Sequence, residues 1–330
     1  MRVSKKNVFL IILFIVSLGL IYLIVSSFYF TSLHFKYFYE LNETSNVAEN
    51  KVIYTIMDNE NIVYLNKKKD KIIIEQIEPN NVKPELIFEI EIPSNELDTY
   101  SFIKKGTYHY FFYNNNKSLI IIDIANKKYQ TLDNLSYDIF LINENNDSLY
   151  YYNNYNIYSL NDNKILYTIK DTILNIKNID FITNEYLFIQ TYNSTNYILN
   201  LTNNEYTLID NYILYSSIYK NTLYYTYYAN DNTLIINSYK DNEFTSFSIK
   251  RVEFQSFIVN DDYLYLILDN SIQKVSLSRK KTNEVLNMSG YTSFIYDLNN
   301  IIIYNEKTMY LPMIYKEEAI YKYRLYRYKV

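Results

Sequence analysis

Apolar positions along the chain form two patterns, which are one long run near the N-terminus and, from residue 44 onward, short apolar segments separated by polar turns. Each repeat of the second pattern opens with a short segment that usually starts with a polar residue and turns apolar. These segments are 45–47, 101–103, 139–141, 180–182, 216–218, 256–258 and 293–295. They recur about every 39 residues, which is typical of a repeat architecture.

A stronger apolar strand follows each short segment and opens a predicted hairpin. The hairpins begin at Val52, Tyr108, Leu149, Tyr186, Leu223, Tyr263 and Ile301. Their residues are mainly β-branched, aromatic or aliphatic, which favours strands over helices. A further strand such as 164–169 follows the hairpin, so each of the seven units supplies three to four strands.

Seven units of this length match the blades of a β-propeller, in which 4–8 four-stranded sheets close a ring. We therefore predict an all-β chain whose residues 44–330 form a seven-bladed β-propeller. A linear β-solenoid would normally show a shorter period, and paired β-sandwiches would not keep one phase over seven units. Another all-β arrangement remains the alternative.

The first and last units differ from the others. The first is longer, and we interpret its excess between Asp70 and Pro93 as an inserted long hairpin. The last unit supplies strands at about 292–297, 301–304, 308–314 and 319–328. Residues 31–43 are then either a linker or a strand that closes the ring.

The turns have to be made almost without glycine, because the chain contains 3 glycines. Polar clusters rich in asparagine follow the hairpin strands, for example at 114–116, 153–154, 193–196 and 230–232. Asparagine and aspartate tolerate the left-handed backbone region better than most residues. We expect them to take the place of glycine in these turns.

The long apolar run covers residues 8–30 and contains no charged residue. A helix of this length crosses about 30 Å of hydrocarbon. Arg2, Lys5 and Lys6 precede the run, so the positive-inside rule places residues 1–7 in the cytoplasm and the rest of the chain outside. We predict a single-pass protein of the cell membrane with an uncleaved signal anchor. The alternatives are a signal peptide cleaved near Val25–Ser27 and a buried helix of a soluble protein.

Composition excludes several classes of site. The chain has no cysteine and 2 histidines, so disulfides, thiolate metal sites and three-histidine sites are excluded. The scarcity of glycine excludes glycine-rich phosphate loops. We expect no cofactor and no metal. Beyond residue 31 there are 29 basic and 36 acidic residues, a net charge of −7, which does not suggest nucleic-acid binding.

The first residues of the short segments are the candidate binding residues. We predict that they ring one mouth of the central channel, where propellers often bind ligands. They are Ser101, Asp180, Ser216, Ser256 and Ser293. The competing interpretation is steric, because strands crowd near the axis and small hydrogen-bonding residues fit there.

Two segments, Ser148–Asn161 and Asn221–Tyr228, resemble the blade motif of bacterial propellers related to the low-density-lipoprotein-receptor-type propeller family. In that family an LYY strand and a polar turn lead to a second strand that often ends in Asp-Gly. The strand here ends at Asn161 and Asp162 without glycine. The resemblance implies a cell-surface propeller and transfers no catalytic residue.

No catalytic constellation is recognisable, so we expect a non-enzymatic binding or scaffold module. Its partner would be an envelope protein or a cell-wall glycan. The alternative is an exported glycan-acting hydrolase that uses Asp180 and neighbouring carboxylates at the channel mouth.

Overall fold

The computed structural model of the chain describes part of its length, and the strands given below lie within that part. The described residues are 16–22, 52–58, 61–68, 71–77, 85–91, 100–105, 108–113, 118–123, 126–132, 137–143, 148–170, 175–209, 212–229, 232–269, 271–287, 294–296, 301–306, 308–317 and 320–329.

Across these residues the chain forms 28 strands in seven four-stranded sheets, numbered 1 to 7 along the chain, with antiparallel pairing throughout. Sheet 1 contains β1 (Val52–Asp58), β2 (Asn61–Lys68), β3 (Lys71–Ile77) and β4 (Glu85–Glu91). Sheet 2 contains β5 (Tyr100–Lys105), β6 (Tyr108–Tyr113), β7 (Ser118–Asp123) and β8 (Lys128–Leu132). Sheet 3 contains β9 (Ile139–Asn143), β10 (Ser148–Asn153), β11 (Asn156–Ser159) and β12 (Ile165–Thr168).

The next three sheets repeat this plan, with strands paired in chain order. Sheet 4 contains β13 (Ile176–Phe181), β14 (Tyr186–Thr191), β15 (Asn196–Asn200) and β16 (Glu205–Ile209). Sheet 5 contains β17 (Tyr215–Tyr219), β18 (Thr222–Ala229), β19 (Thr233–Lys240) and β20 (Glu243–Lys250). Sheet 6 contains β21 (Ser256–Asn260), β22 (Tyr263–Ile267), β23 (Ser271–Ser276) and β24 (Lys281–Asn287).

Sheet 7 departs from the plan. It contains β25 (Phe294–Tyr296), β26 (Ile302–Asn305), β27 (Thr308–Glu317) and β28 (Ile320–Lys329). The predicted strand positions are confirmed, but β25 and β26 do not pair with each other. Both pair with β27, which pairs with β28 along its whole length. Strand β28 occupies one of the two edges of β27. Strands β25 and β26 therefore lie one after the other along the opposite edge, and the sheet is three strands wide.

The central residues of the second strands β14 and β22 are consecutive apolar residues, because both faces of these strands are buried. In β14, Leu187 and Ile189 pack in a cluster with sheet 3, whereas Phe188 packs in a cluster with sheet 5. In β22, Leu264 packs toward sheet 5 and Ile267 toward sheet 7. Alternate residues of a strand point to opposite faces, so sheets 3 to 7 form a continuous stack.

The first strands of neighbouring sheets also touch. Strand β9 contacts β13, β17 contacts β21, and β1 contacts β5. Sheet 7 takes part through β26, which contacts both β21 and β1. The first sheet therefore lies against the last one, and the strands that make these contacts are called the inner strands.

The predicted layout of the first unit is wrong. Val52 begins β1, an inner strand, and not the second strand of a unit that starts at Ser45. The predicted long hairpin between Asp70 and Pro93 is confirmed as β3 and β4, but it is not an excess, because these are the third and fourth strands of sheet 1. Ile72 and Ile74 in β3 are fully buried, which is the environment of an interior strand. Residues 31–51 lie outside the described part of the chain.

Near the N-terminus, residues 16–22 are helical and exposed. Within the described part of the chain, no helix has the length and apolar character that a membrane crossing requires. The predicted span 8–30 extends beyond this helix on both sides, outside the described residues, and stays a prediction.

Candidate functional site

Three of the five predicted channel-mouth residues are described with their side chains. Asp180, Ser216 and Ser256 lie on the inner strands β13, β17 and β21, and each is half-buried. Ser101 lies on the inner strand β5, for which the backbone is described. Ser293 lies outside the described residues.

Strand register places these residues at different levels, where the level is the position of the paired residue counted from the start of the second strand. Asp180 pairs with Phe188, the third residue of β14, and Ser216 pairs with Tyr225, the fourth residue of β18. Ser256 pairs with Ile267, the fifth residue of β22. Ser101 pairs with Phe112, the fifth residue of β6. Ser101 and Ser256 therefore share a level, and the structure does not bring all four to one level.

For Asp180 the reason lies in the hairpin between the first and second strands. In sheet 5 this hairpin turns in two residues, because Tyr219 pairs with Thr222. In sheet 4 the loop is longer, and the backbone N–H of Ile182 donates to the carbonyl of Tyr186. The longer loop moves Asp180 closer to the turn than a sequence alignment of the units suggests.

Among the described side chains of the inner strands, Asp180 has the most strongly shifted pKa. Its flanking residues Ile179 and Phe181 pack toward sheet 3, so the carboxylate points to the opposite face. Burial raises the pKa of Asp180 from 3.8 to about 6, and a hydrogen bond from the side chain of Asn178 opposes the rise. The Nδ2 atom of Asn178 lies 2.6 Å from Oδ2 of Asp180. The group therefore holds a proton in mildly acidic solution.

A set of polar residues at the turn end of the inner strands, here called the inner-turn belt, was missed at the sequence level. The belt links neighbouring sheets by side-chain hydrogen bonds. The amide of Asn143 donates to Oδ1 of Asn184 over 2.9 Å, which joins sheets 3 and 4. The hydroxyl of Tyr219 donates to Asn260 over 3.2 Å, which joins sheets 5 and 6. The amide of Asn260 donates to the carbonyl of Ile303 over 2.8 Å, which joins sheets 6 and 7.

An exposed ion pair lies at the same end. The Nζ atom of Lys220 lies 2.6 Å from Oδ1 of Asp261. The hydroxyl of Tyr219 lies 3.0 Å from the same oxygen, so its one proton is shared between Asp261 and Asn260. These hydrogen bonds and the nearby Lys220 ammonium lower the pKa of Asp261. The belt thus combines amides, a phenol and an ion pair. Its sequence signal is the polar last residue of the inner strand, as in Asn143, Tyr219 and Asn260.

No group of three or more histidine, aspartate or glutamate side chains within the described ranges is arranged to hold a metal ion. The side-chain partner of Asp180 is an amide and not a second carboxylate. The arrangement offers hydrogen-bond donors and acceptors on a fixed backbone, and one carboxyl with a raised pKa.

Neither a protein-family model nor a curated protein matches the chain. Similarity appears among solved structures. The structure resembles an oligogalacturonate lyase from Vibrio parahaemolyticus with a TM-score of 0.63 and 8% identity, covering 88% of this chain and 91% of that one. It resembles an uncharacterised protein from Listeria monocytogenes EGD-e with a TM-score of 0.57 and 12% identity, covering 82% and 92%.

A third similar structure is the C-terminal WD40 domain of Sif2, with a TM-score of 0.50, 12% identity and 84% of each chain covered. These identities show the fold alone. The chain is all-β, with repeated four-stranded sheets and propeller-type structural neighbours.

Proposed function

We propose that the chain is a membrane-anchored, extracytoplasmic, seven-bladed β-propeller that acts as a non-enzymatic binding or scaffold module for an envelope protein or glycan. Residues 8–30 would be the anchor, and the domain would lie outside the cytoplasmic membrane. The blade motif at Ser148–Asn161 supports a relation to the low-density-lipoprotein-receptor-type propellers.

Ring closure is supported by the contacts between the first and last sheets. Strand β26 contacts both β21 and β1, and β1 also contacts β5. Seven sheets in this order match the number of units in the sequence.

The inner-turn belt is the observation that carries the binding role. Asn143 is 2% exposed and its amide is fixed by Asn184, so this part of the belt is structural. Lys220 and Asp261, in contrast, keep 70% and 65% of their side chains exposed. The belt therefore offers charged and polar groups at one end of the inner strands on a rigid backbone. Rigid presentation lowers the entropy cost of binding a partner.

Asp180 favours the second candidate function, an exported hydrolase acting on glycans. A carboxyl with a raised pKa is the usual general acid of such enzymes, which pair it with a second carboxylate. Asp180 accepts its hydrogen bond from the amide of Asn178. Because this partner is not a second carboxylate, the contact favours the binding module.

Crosslinking in intact cells with the full chain tests the binding role. We expect a specific partner to be captured, and Lys220→Glu to lower its yield at least about fivefold, because it replaces the cation of the ion pair by a second anion beside Asp261. Lys240→Glu is the matched control, because Lys240 is exposed at the outer hairpin of the same sheet. Equal yields from both variants would contradict a role for the belt.

Two further measurements separate the parts of the proposal. Protease added to cells stripped of their wall should digest the domain and leave a short membrane-bound N-terminal fragment, whereas full protection would contradict the orientation. Turnover of a wall glycan that is lost in Asp180→Asn would support the hydrolase. Saturable binding without turnover would support the module.

A further inference from the structure

A cavity of about 140 Å³ lies between sheets 5 and 6. The turn on one side of it is held by Asp262, the neighbour of the belt residue Asp261. Sheet 5 supplies one wall through β18, β19 and β20, with Tyr224, Ser238 and Phe247 among the lining residues. The turn between β23 and β24 supplies the opposite wall through Leu277 and Lys280. The cavity therefore has a sheet face on one side and a turn on the other.

The sheet wall combines hydroxyl groups with aromatic rings. Tyr224 pairs with Ser238, and Ser238 pairs with Thr245, so these three side chains leave the same face of sheet 5. Phe247 is two residues beyond Thr245 and shares that face. Phe247 also packs against the apolar cluster between sheets 5 and 6. A polar row thus lies beside an aromatic surface.

The hydroxyls of Ser238 and Thr245 lie 2.6 Å apart and share a hydrogen bond. Each hydroxyl has one proton and two acceptor lone pairs. After one proton is used between them, the pair still has one proton to donate and lone pairs to accept. Such a pair matches the hydroxyls of a polyol.

The opposite wall is a turn that Asp262 holds in place. Oδ2 of Asp262 accepts hydrogen bonds from the hydroxyls of Ser276 over 3.1 Å and Ser278 over 2.6 Å, and Oδ1 accepts from the backbone N–H of Ser278 over 3.1 Å. The backbone N–H of Lys280 donates to the carbonyl of Ser276 over 2.8 Å. The turn is therefore fixed before any ligand arrives.

This turn places positive charge at the cavity. The Nζ atom of Lys280 lies 5.9 Å from the ring centre of Phe247, and Lys280 lines the cavity. Arg279 and Lys281 flank it and are exposed. A cation beside hydroxyls and an aromatic face matches a ligand that carries both hydroxyl groups and an anionic group.

We propose that this cavity binds one anionic polyol unit, either a sugar acid or a polyol phosphate. Its hydroxyls would bond to Ser238 and Thr245, its carbon face would pack on Phe247, and its anionic group would pair with Lys280. Drug-sized ligands occupy pockets of roughly 300–1,000 Å³, so a smaller cavity accommodates a single unit. This site is separate from the one proposed for the inner-turn belt, and the proposal does not depend on the partner of the belt.

Calorimetry on the purified full chain in detergent tests the proposal with three probes, which are glucuronate, glycerol 3-phosphate and neutral glucose. A ligand of this size in a small site is expected to bind with a Kd of about 1 mM. We expect at least one anionic probe to bind saturably and glucose to bind at least about tenfold more weakly. Binding of glucuronate would indicate a sugar acid as the ligand, and binding of glycerol 3-phosphate would indicate a polyol phosphate.

Two lysine variants serve as a matched pair. Lys280→Gln should weaken the bound anionic probe about tenfold, whereas Lys281→Gln, one residue outside the cavity lining, should change it less than about twofold. Absence of saturable binding by both anionic probes, equal binding of glucose, or equal effects of the two variants would each overturn the proposal. Crosslinking of a partner to the inner-turn belt is a separate measurement. Failure of the cavity proposal therefore leaves the belt proposal testable, and the reverse also holds.

Discussion

The side-chain amide of Asn260 donates a 2.8 Å hydrogen bond to the backbone carbonyl of Ile303, and so ties the inner strand of sheet 6 to that of sheet 7. The same side chain accepts a hydrogen bond from Tyr219 of sheet 5 over 3.2 Å. One asparagine thus connects three consecutive sheets at the turn end of the inner strands.

We predict that Asn260→Ala lowers the free energy of unfolding by about 1–3 kcal/mol, because it leaves the Ile303 carbonyl without this donor. Tyr219→Phe keeps the ring and removes the hydroxyl, which contacts the exposed Asp261 as well as Asn260, so it should cost about 0.5–1.5 kcal/mol. Urea unfolding of the full chain in detergent measures both. A larger effect of Tyr219→Phe than of Asn260→Ala would contradict this assignment.

The protonation of Asp180 predicts how stability depends on pH. Because the pKa is raised from 3.8 in the unfolded chain to about 6 in the folded one, the folded state holds the proton more tightly. The contribution is favourable below pH 3.8 and is lost as pH rises through 6. Above that range the buried carboxylate costs up to about 3 kcal/mol.

We therefore predict that Asp180→Asn stabilises the domain at pH 7 and flattens the stability profile between about pH 4 and 6. Melting temperatures measured across this range test the prediction. Asp241→Asn is the control, since Asp241 is exposed in the β19–β20 turn and its replacement should leave the profile unchanged. A wild-type profile in Asp180→Asn would show that the carboxyl is not desolvated.

The two-residue turn between β17 and β18 gives a backbone prediction. Lys220 and Asn221 have φ angles of 45° and 62°, which lie in the left-handed region that matches the twist of a hairpin. Asn221→Gly should keep or slightly raise the stability, whereas Asn221→Val should lower it by about 1–2 kcal/mol. Thermal melts of the two variants measure this, and equal melting temperatures would contradict a left-handed residue here.

The long outer strand of sheet 7 gives a prediction about the integrity of that sheet. Strand β28 pairs with β27 from Thr308 to Glu317, so deleting residues 319–330 exposes a ten-residue edge. We expect lower solubility or loss of cooperative unfolding, because free sheet edges associate with one another. Removal of Val330 alone, which follows the strand, is the control. A truncated chain that melts as sharply as the full one would contradict the prediction.

The sequence determined the repeat, the strand positions and the turn chemistry. Predicted second strands beginning at Tyr108, Tyr186 and Tyr263 begin there in the structure, because apolar periodicity is a local signal. The asparagine-rich turns were also predictable. Asn154 and Ser194 within them have positive φ angles, in line with the tolerance of small polar side chains for this region.

Only tertiary structure decided which strands meet and at which level. Contacts of β1 with β5 and β26 make Val52 the start of an inner strand. These contacts join residues that are far apart in the chain. The level of Asp180 followed from the long β13–β14 loop, because its pairing with Phe188 lies on the turn side of the register shift between Ile176 and Asn178. In sheet 7, β25 and β26 both took the same edge of β27. Strand pairing is non-local, and neither a one-residue shift in register nor a choice of edge changes the local pattern of apolar residues.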